Sequence, residues 1–382
     1  MKILINAVCA KKYAGGGFQI ALNFVRMALK DTDKSVEWYF IISDHIAEVL
    51  KLENSFNIFI FPAQPDFRKT YWSVAKQIRI IEETVKPDVV YSILAPSYFF
   101  IKSKEVMRVT DPWVAHPNKY AQNTLSAKGK IRNLLYIPFQ KYLIRKGKFF
   151  ITQTDFTADC IARIANVPRQ NVKVVNNVLP AIYNELDNSP IEDKQWINIT
   201  SVAAPFPHKN LDIIPEVLHQ LNDRFGISNV KFHVTIPEES SVWNIIRQKL
   251  KAYSLADKVV NHGRMSQTEL SILYRSSQMM FLPTLLEVFS ASILEAMYFD
   301  LKIVASDFPF NSTVIGDAGL YFQPTNAIDA AEKIAEIIKN EDLQKVLSDK
   351  MKKRLSVYRD YEKHFNCTKE FLIKVGKNLV SC

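Results

Sequence analysis

Two glutamates, Glu287 and Glu295, have the types and spacing that most directly suggest chemistry in this chain. They lie in P-T-L-L-E-V-F-S-A-S-I-L-E-A-M, a loop predicted to enter a helix near Ser290. Glu287 falls just before that helix and Glu295 about a turn and a half inside it. The first N–H groups of a helix have no intrahelical partner, so anionic groups of a ligand can sit on them while both carboxylates face the same ligand. Ser290 is placed to cap the helix. A lysine joins them from upstream. Lys209, in A-A-P-F-P-H-K-N-L, occupies a strand-to-helix turn beside a helix N-terminus, where its ammonium suits a diphosphate; an ordinary surface lysine is the alternative.

Glycine usage points to a second position. The chain has only 10 glycines, well under the roughly 7% usual in proteins, yet Gly15, Gly16 and Gly17 are adjacent. They follow a predicted strand (Lys2 to Val8) and precede a helical stretch with Ile20, Phe24, Met27 and Ala28 on one side. Strand, glycine loop, helix is a common way to hold an anion; a flexible turn is the alternative. The pattern is neither G-x-G-x-x-G nor the Walker loop, so it implies neither NAD nor ATP.

The elements that must position these residues alternate. In the first half, apolar strands are predicted at Trp38–Ile42, Asn57–Phe61, Val89–Ser92, Val106–Thr110, Phe149–Thr152 and Val172–Val178, with helices such as Ser73–Val85 between them. A polar stretch, A-I-Y-N-E-L-D-N-S-P-I-E-D-K, reads as a linker. The second half resumes with W-I-N-I-T-S-V, then Lys231–Ile236, Val242–Ala252, Val259–Asn261, Glu269–Ser276, Met279–Leu282, Lys302–Ala305 and Gly319–Phe322. The alternation argues for α/β architecture with parallel sheets. Ligands of such sheets bind outside the carboxyl ends of the strands, and with two domains the cleft between them is the expected site.

Composition bounds the class. At 382 residues, 48% of them hydrophobic, the chain can bury two ordinary cores. M-K-I-L-I-N reads as a buried strand and not as a signal peptide. No apolar run reaches the roughly 18–20 residues of a membrane span. Cys9, Cys160, Cys367 and Cys382 are scattered, without a zinc or disulfide spacing, so a reducing cytoplasm is expected. The net charge of +10 is uneven: residues 1–180 hold 26 Lys and Arg against 14 Asp and Glu. Between Thr124 and Phe150, seven basic residues meet no acid and alternate with Ile131, Leu134, Leu135, Ile137, Phe139, Tyr142, Leu143 and Ile144. Two readings stay open: a helix lying on an anionic membrane surface, and a core-packed helix with a solvated basic face. No nucleic-acid signature is present.

The spacing of Glu287 and Glu295 resembles the E-x7-E region of retaining glycosyltransferases of family 4, whose GT-B fold pairs two Rossmann-like domains across a cleft. A-A-P-F-P-H-K-N-L, N-H-G-R-M-S-Q-T-E-L-S-I-L-Y and T-Q-T-D-F-T-A-D-C-I resemble family landmarks in turn. The likeness is dense from about 196 to 325 and thin from 1 to 150. It implies an N-terminal acceptor-side domain (1–180), a linker (181–195), a sugar-nucleotide-binding domain (196–360) and a C-terminal helix (361–382) that packs toward the first domain. It further implies diphosphate contact by Lys209, donor-sugar contact by Glu287 and ribose contact by Glu295. The base would lie near Gly263, Arg264 and Met265, and the leaving group near His208, Phe289 and Ser290. The glycine loop, including Gly16 and Gly17, would stand near the donor phosphates. Asp111, His116 and Tyr98 are wall candidates on the acceptor side; Asp111 also suits a turn before Pro112.

The resemblance implies sugar transfer from a UDP-, GDP- or dTDP-sugar to a glycan or lipid-linked acceptor with retention, without a metal, in bacterial polysaccharide synthesis. The expected location is cytoplasmic, peripheral on the inner face of the membrane. Asp31-Thr32-Asp33 looks like a D-x-D metal motif but follows an amphipathic helix, so a solvated turn is expected. Two departures matter. Ala204 stands where the family has a phosphate-binding arginine, and Val288 and Ser290 replace glycines around Phe289. Either His208 or Arg264 supplies the missing charge, or the chain is a catalytically silent sugar-nucleotide binder. A sugar-nucleotide epimerase is a further alternative, while an oxidoreductase lacks its glycine fingerprint.

Overall fold

Short apolar runs with β-branched residues become strands covered on both faces, and the amphipathic stretches between them become helices, as parallel sheets require. The computed structural model describes residues 1–12, 16–63, 65–66, 69–193 and 195–380; Gly15, Lys194 and Cys382 lie outside the described residues. The chain divides into two compact units. One comprises Met1–His116, Ile131–Asn177 and Tyr361–Cys382, the other Pro117–Lys130 and Val178–Asp360.

Among the described residues, the first unit holds β1 (Lys2–Ala7), β2 (Glu37–Ser43), β3 (Ile58–Phe61), β4 (Val89–Ala95), β5 (Glu105–Val109), β6 (Phe149–Thr152) and β7 (Val172–Val174). They form a parallel sheet in the order β3-β2-β1-β4-β5-β6-β7. Ile3, Ile5, Phe40 and Tyr91 fill one face, Leu4, Ile41 and Val90 the other. The second unit holds β8 (Ile197–Ser201), β9 (Val230–Val234), β10 (Val259–Asn261), β11 (Met279–Leu282), β12 (Lys302–Ser306) and β13 (Gly319–Phe322). Its parallel order is β10-β9-β8-β11-β12-β13. Strand order reverses between β1 and β4 and again between β8 and β11. Loops leaving those strands diverge there and open a crevice at the carboxyl ends.

Three segments differ from their sequence reading. The stretch read as a linker is anchored in the second unit: Tyr183 is fully buried with Ile182 and Leu186 packed around it, and Leu179 N–H donates to Tyr358 O at 2.9 Å. A polar composition hid one deeply buried tyrosine. Pro117–Lys130, from the first half of the sequence, clusters with the second unit. The Asp31–Asp33 segment leads into an exposed turn, as expected, but its carboxylates are engaged. Both carboxylates hold Lys369 of the helix Tyr361–Gly376, at 2.6 and 2.8 Å, and Trp38 Nε1 donates to Asp31 at 2.9 Å. The same helix contributes Phe365, Phe371, Leu372 and Val375 to the core of the first unit. Among the described residues, no helix is long and apolar enough to cross a membrane.

Candidate functional site

Lys209 and Glu287 stand on the loops that leave β8 and β11, the two strands flanking the second unit's switch point. Their side chains form an ion pair, largely shielded from solvent at 15% and 19% exposure. Lys209 ends the 3-10 turn Pro207–Lys209. That turn is fastened to the glutamate loop by Leu285 N–H donating to His208 O at 2.8 Å. Asn118 fastens the other side: it caps the helix Lys119–Asn123 through Ala121 N–H and donates Nδ2–H to Leu285 O at 2.7 Å. Asn118 was missed in the sequence because it lies far upstream; its only signal is the capping pattern P-N-K-Y.

Lys209, Ser201, Ala203, Thr284 and Ser290 line a small recess at this edge. The helix Ala291–Tyr298 begins beside it, with Ser290 at the N-cap position; the serine hydroxyl makes no capping bond. Of its first-turn N–H groups, Ile293 donates to Ser290 O at 3.2 Å, and helix geometry leaves those of Ala291 and Ser292 without an intrahelical partner. Beside a lysine, such donors suit an anionic group. Phe289 directs its ring into the core against Tyr358. Ala204 is exposed and brings no charge. His208 does not replace that charge: burial, and then the neighbouring Lys209, push its pKa down to about 4, so it is neutral near pH 7. Its ring stacks on the half-exposed Phe206.

Glu295 is held by two tyrosines. The helix Ala291–Tyr298 is buried along most of its length, and the Glu295 carboxylate is turned inward with it. Tyr274 Oη donates to Oε2 at 2.5 Å and Tyr183 Oη to Oε1 at 3.3 Å. Burial raises its pKa, opposed by these two hydrogen bonds. Each oxygen keeps a second lone pair, so a further hydroxyl needs access to the buried carboxylate rather than the loss of a tyrosine. Tyr183 and Tyr274 could not be inferred from spacing, since they come from separate segments.

Gly263, Arg264 and Met265 form the loop after β10, closed by the capping box of Ser266 and Glu269. Gly263 has φ +66°, a conformation that favours glycine. The structure places this loop at the same carboxyl edge as the loops that carry Lys209 and Glu287.

In the first unit, Gly16 begins the helix Gly16–Leu29, and a Cβ on Gly17 would come within 2.6 Å of the Leu94 side chain. A side chain at Gly17 would thus have to displace the end of Leu94, at the β1–β4 switch. Tyr98 and Asp111 are brought together by Gln140, whose Nε2 donates to Tyr98 Oη at 2.9 Å and to Asp111 Oδ2 at 3.3 Å. Asp111 also caps the helix Pro112–Ala115 through Trp113 N–H, at 2.9 Å. Burial raises its pKa, opposed by those donors. His116 sits against Phe156, ring centroids 5.0 Å apart, and burial pushes its pKa down to about 4. Among the described residues, no group of three or more His, Cys, Asp or Glu is arranged to hold a metal ion.

The fold and the placement of Lys209 and Glu287 define a class. Residues 184–354 match the family described as glycosyl transferases group 1, and that stretch is a domain of this type. The chain is 25% identical over 186 residues to the O-antigen chain mannosyltransferase RfbU of Salmonella typhimurium, covering 48% of this chain and 49% of that protein. It is 24% identical over 212 residues to an uncharacterized glycosyltransferase of Methanocaldococcus jannaschii, covering 53% and 56%. The chain thus spans about half the length of the curated relatives it matches. Anabaena HepE in complex with UDP shares the fold with TM-score 0.71, 15% identity and coverage of 98% and 100%. So does a glycosyltransferase of Rickettsia africae, with TM-score 0.69, 15% identity and coverage of 99% of each chain. These likenesses establish the GT-B fold, two parallel-sheet Rossmann-like domains.

Proposed function

We propose that the protein is a retaining, metal-independent hexosyltransferase. It moves a sugar from a nucleotide-diphosphate sugar to a glycan or lipid-linked acceptor in bacterial O-antigen, capsule or lipopolysaccharide synthesis, at the inner face of the cytoplasmic membrane. The observation that carries this reading is the Lys209–Glu287 pair at the β8–β11 switch point, within a domain of the glycosyl transferases group 1 type. Lys209 and the first-turn N–H groups after Ser290 take the diphosphate and stabilise its charge as it leaves. Glu287 holds the Lys209 ammonium in place and receives hydroxyls of the donor sugar. Arg264 and Met265 stand by the base. Asp111, His116 and Tyr98 serve the acceptor. The transition state is oxocarbenium-like, so positioning and leaving-group stabilisation supply most of the rate. The UDP bound to HepE makes UDP the first donor base to try.

A second reading, a silent sugar-nucleotide binder, is favoured by two observations: Ala204 brings no charge, and the Glu295 carboxylate is buried against two tyrosines. Calorimetry with UDP, GDP and dTDP, with and without Mg²⁺, tests the shared site. Metal-independent binding of one nucleotide, lost in Lys209→Ala, is expected. No binding of any of them overturns both readings. A transfer assay then separates them: turnover abolished by Glu287→Gln identifies the enzyme, and binding without turnover identifies the silent protein.

A further inference from the structure

The helix Ala127–Arg145 is built inside out. Its buried residues are Asn133, Gln140 and Ile144, two of them polar. Five of its apolar residues face solvent: Ile131 is 62% exposed, Leu134 73%, Leu135 71%, Phe139 43% and Tyr142 53%, while Ile137 and Leu143 are half-buried. Their spacing puts all five on one face of the helix. A core-packed helix, one of the two readings of this segment, would bury that stripe and expose the amides. The inversion has a reason in the fold. Gln140 is committed to Tyr98 and Asp111, so the rotation that satisfies its amide turns the leucines outward.

Charge surrounds the stripe. Lys128, Lys130, Arg132, Lys141, Arg145, Lys146 and Lys148 meet no acidic residue between Thr124 and Phe150. Lys146 Nζ lies 4.5 Å from the Tyr142 ring centroid, its stem along the apolar side and its charge at the rim. A second copy of this chain fits poorly. A two-fold contact would set each basic patch against itself. A surface of diffuse negative charge over hydrocarbon matches both features at once.

We propose that Ala127–Arg145 lies flat in the interface of an anionic lipid bilayer, with Ile131, Leu134, Leu135, Phe139 and Tyr142 among the acyl chains and the basic rim on the headgroups. The reverse face of the docked helix carries Gln140, and through it Tyr98 and Asp111. The acceptor of the proposed transfer is then an amphiphile presented at that surface. The acceptor assignment rests on the glycosyltransferase reading; the docking does not.

Co-sedimentation of the full chain with phosphatidylcholine vesicles, with and without phosphatidylglycerol, tests the docking. Nucleotide binding by calorimetry serves as the control for folding. Binding to the anionic vesicles well above the neutral ones is expected. Replacing Arg132, Lys141, Lys146 and Lys148 by Gln weakens it on the order of 100-fold or more, at about a tenfold loss for each one or two charges. Leu134→Glu with Leu135→Glu weakens it at least as much, and nucleotide binding stays at the wild-type value in both. Absent binding, equal binding to both vesicles, or binding untouched by either variant overturns the proposal. So does a dimer in light scattering that Leu134→Glu dissociates, which would give the face to a second copy. Failure of the wild type to bind any nucleotide would sink the functional reading and leave the docking result standing.

Discussion

Two ion-paired clusters in this chain each centre on a lysine, and they stand at opposite edges of their sheets. Glu287 pairs with Lys209 on loops that leave β11 and β8. Asp31 and Asp33 pair with Lys369 in a loop that enters β2. In a parallel sheet, loops after strands gather at the carboxyl edge, where the switch point opens a crevice, and loops before strands gather at the opposite edge. The first pair therefore stands where a ligand can reach it, and the second staples the C-terminal helix to its unit. Asp31-Thr32-Asp33 has the look of a metal motif, but the helix before it already argues against one, and position in the sheet agrees.

The sharpest way to break this contrast is to disarm each pair. On the proposed function, Glu287→Gln is expected to lower transfer roughly 100-fold or more, through loss of the group assigned to the reacting sugar and paired with Lys209. Lys209→Ala should weaken nucleotide-diphosphate binding about 10- to 100-fold, the value of one charge-assisted contact. Neither change should shift the denaturation midpoint by more than a small amount. Lys369→Met should do the reverse. It is expected to cost roughly 2–3 kcal/mol in chemical denaturation, less than a fully buried pair because Asp33 meets water, with nucleotide affinity unchanged. Equal effects of the two lysines on binding and stability would erase the distinction.

A smaller test concerns the first unit's switch point. Gln140→Leu removes the donor shared by Tyr98 and Asp111 and should cost about 1–2 kcal/mol. Acceptor KM should rise while nucleotide affinity stays constant. The last prediction is the mildest. His116, His208 and His233 all have pKa values pushed down to about 4, by burial first. The folded state favours their neutral form, so the stability they confer is complete above about 6.5, their unperturbed value. It is lost as pH falls from there toward about 4, where the unfolded chain takes up protons first. The melting temperature should decline over that window, and His208→Gln should flatten part of the decline.

Much of the architecture was legible in advance. Strands such as Phe149–Thr152, Val259–Asn261, Met279–Leu282 and Gly319–Phe322 were located to the residue, because a parallel strand is a short apolar run whatever packs on it. Lys209 and Glu287 were legible for a related reason: each comes after such a run, and a parallel sheet sends the loops that leave its strands to one edge. Asn118 was not, since its partner, the Leu285 carbonyl, lies on a loop far along the chain.

Sequence by itself determined the alternating α/β order, the carboxyl-edge location of the candidate site and the concentration of basic charge before residue 150, all set by local composition and spacing. Only the tertiary structure decided which way side chains face. It turned Glu295 inward onto Tyr183 and Tyr274, closed Asp31 and Asp33 on Lys369, and rotated Ala127–Arg145 so that Gln140 is inside and Leu134 and Leu135 are outside. In each case the deciding partner is distant in sequence, and a buried polar group goes where its hydrogen bond is.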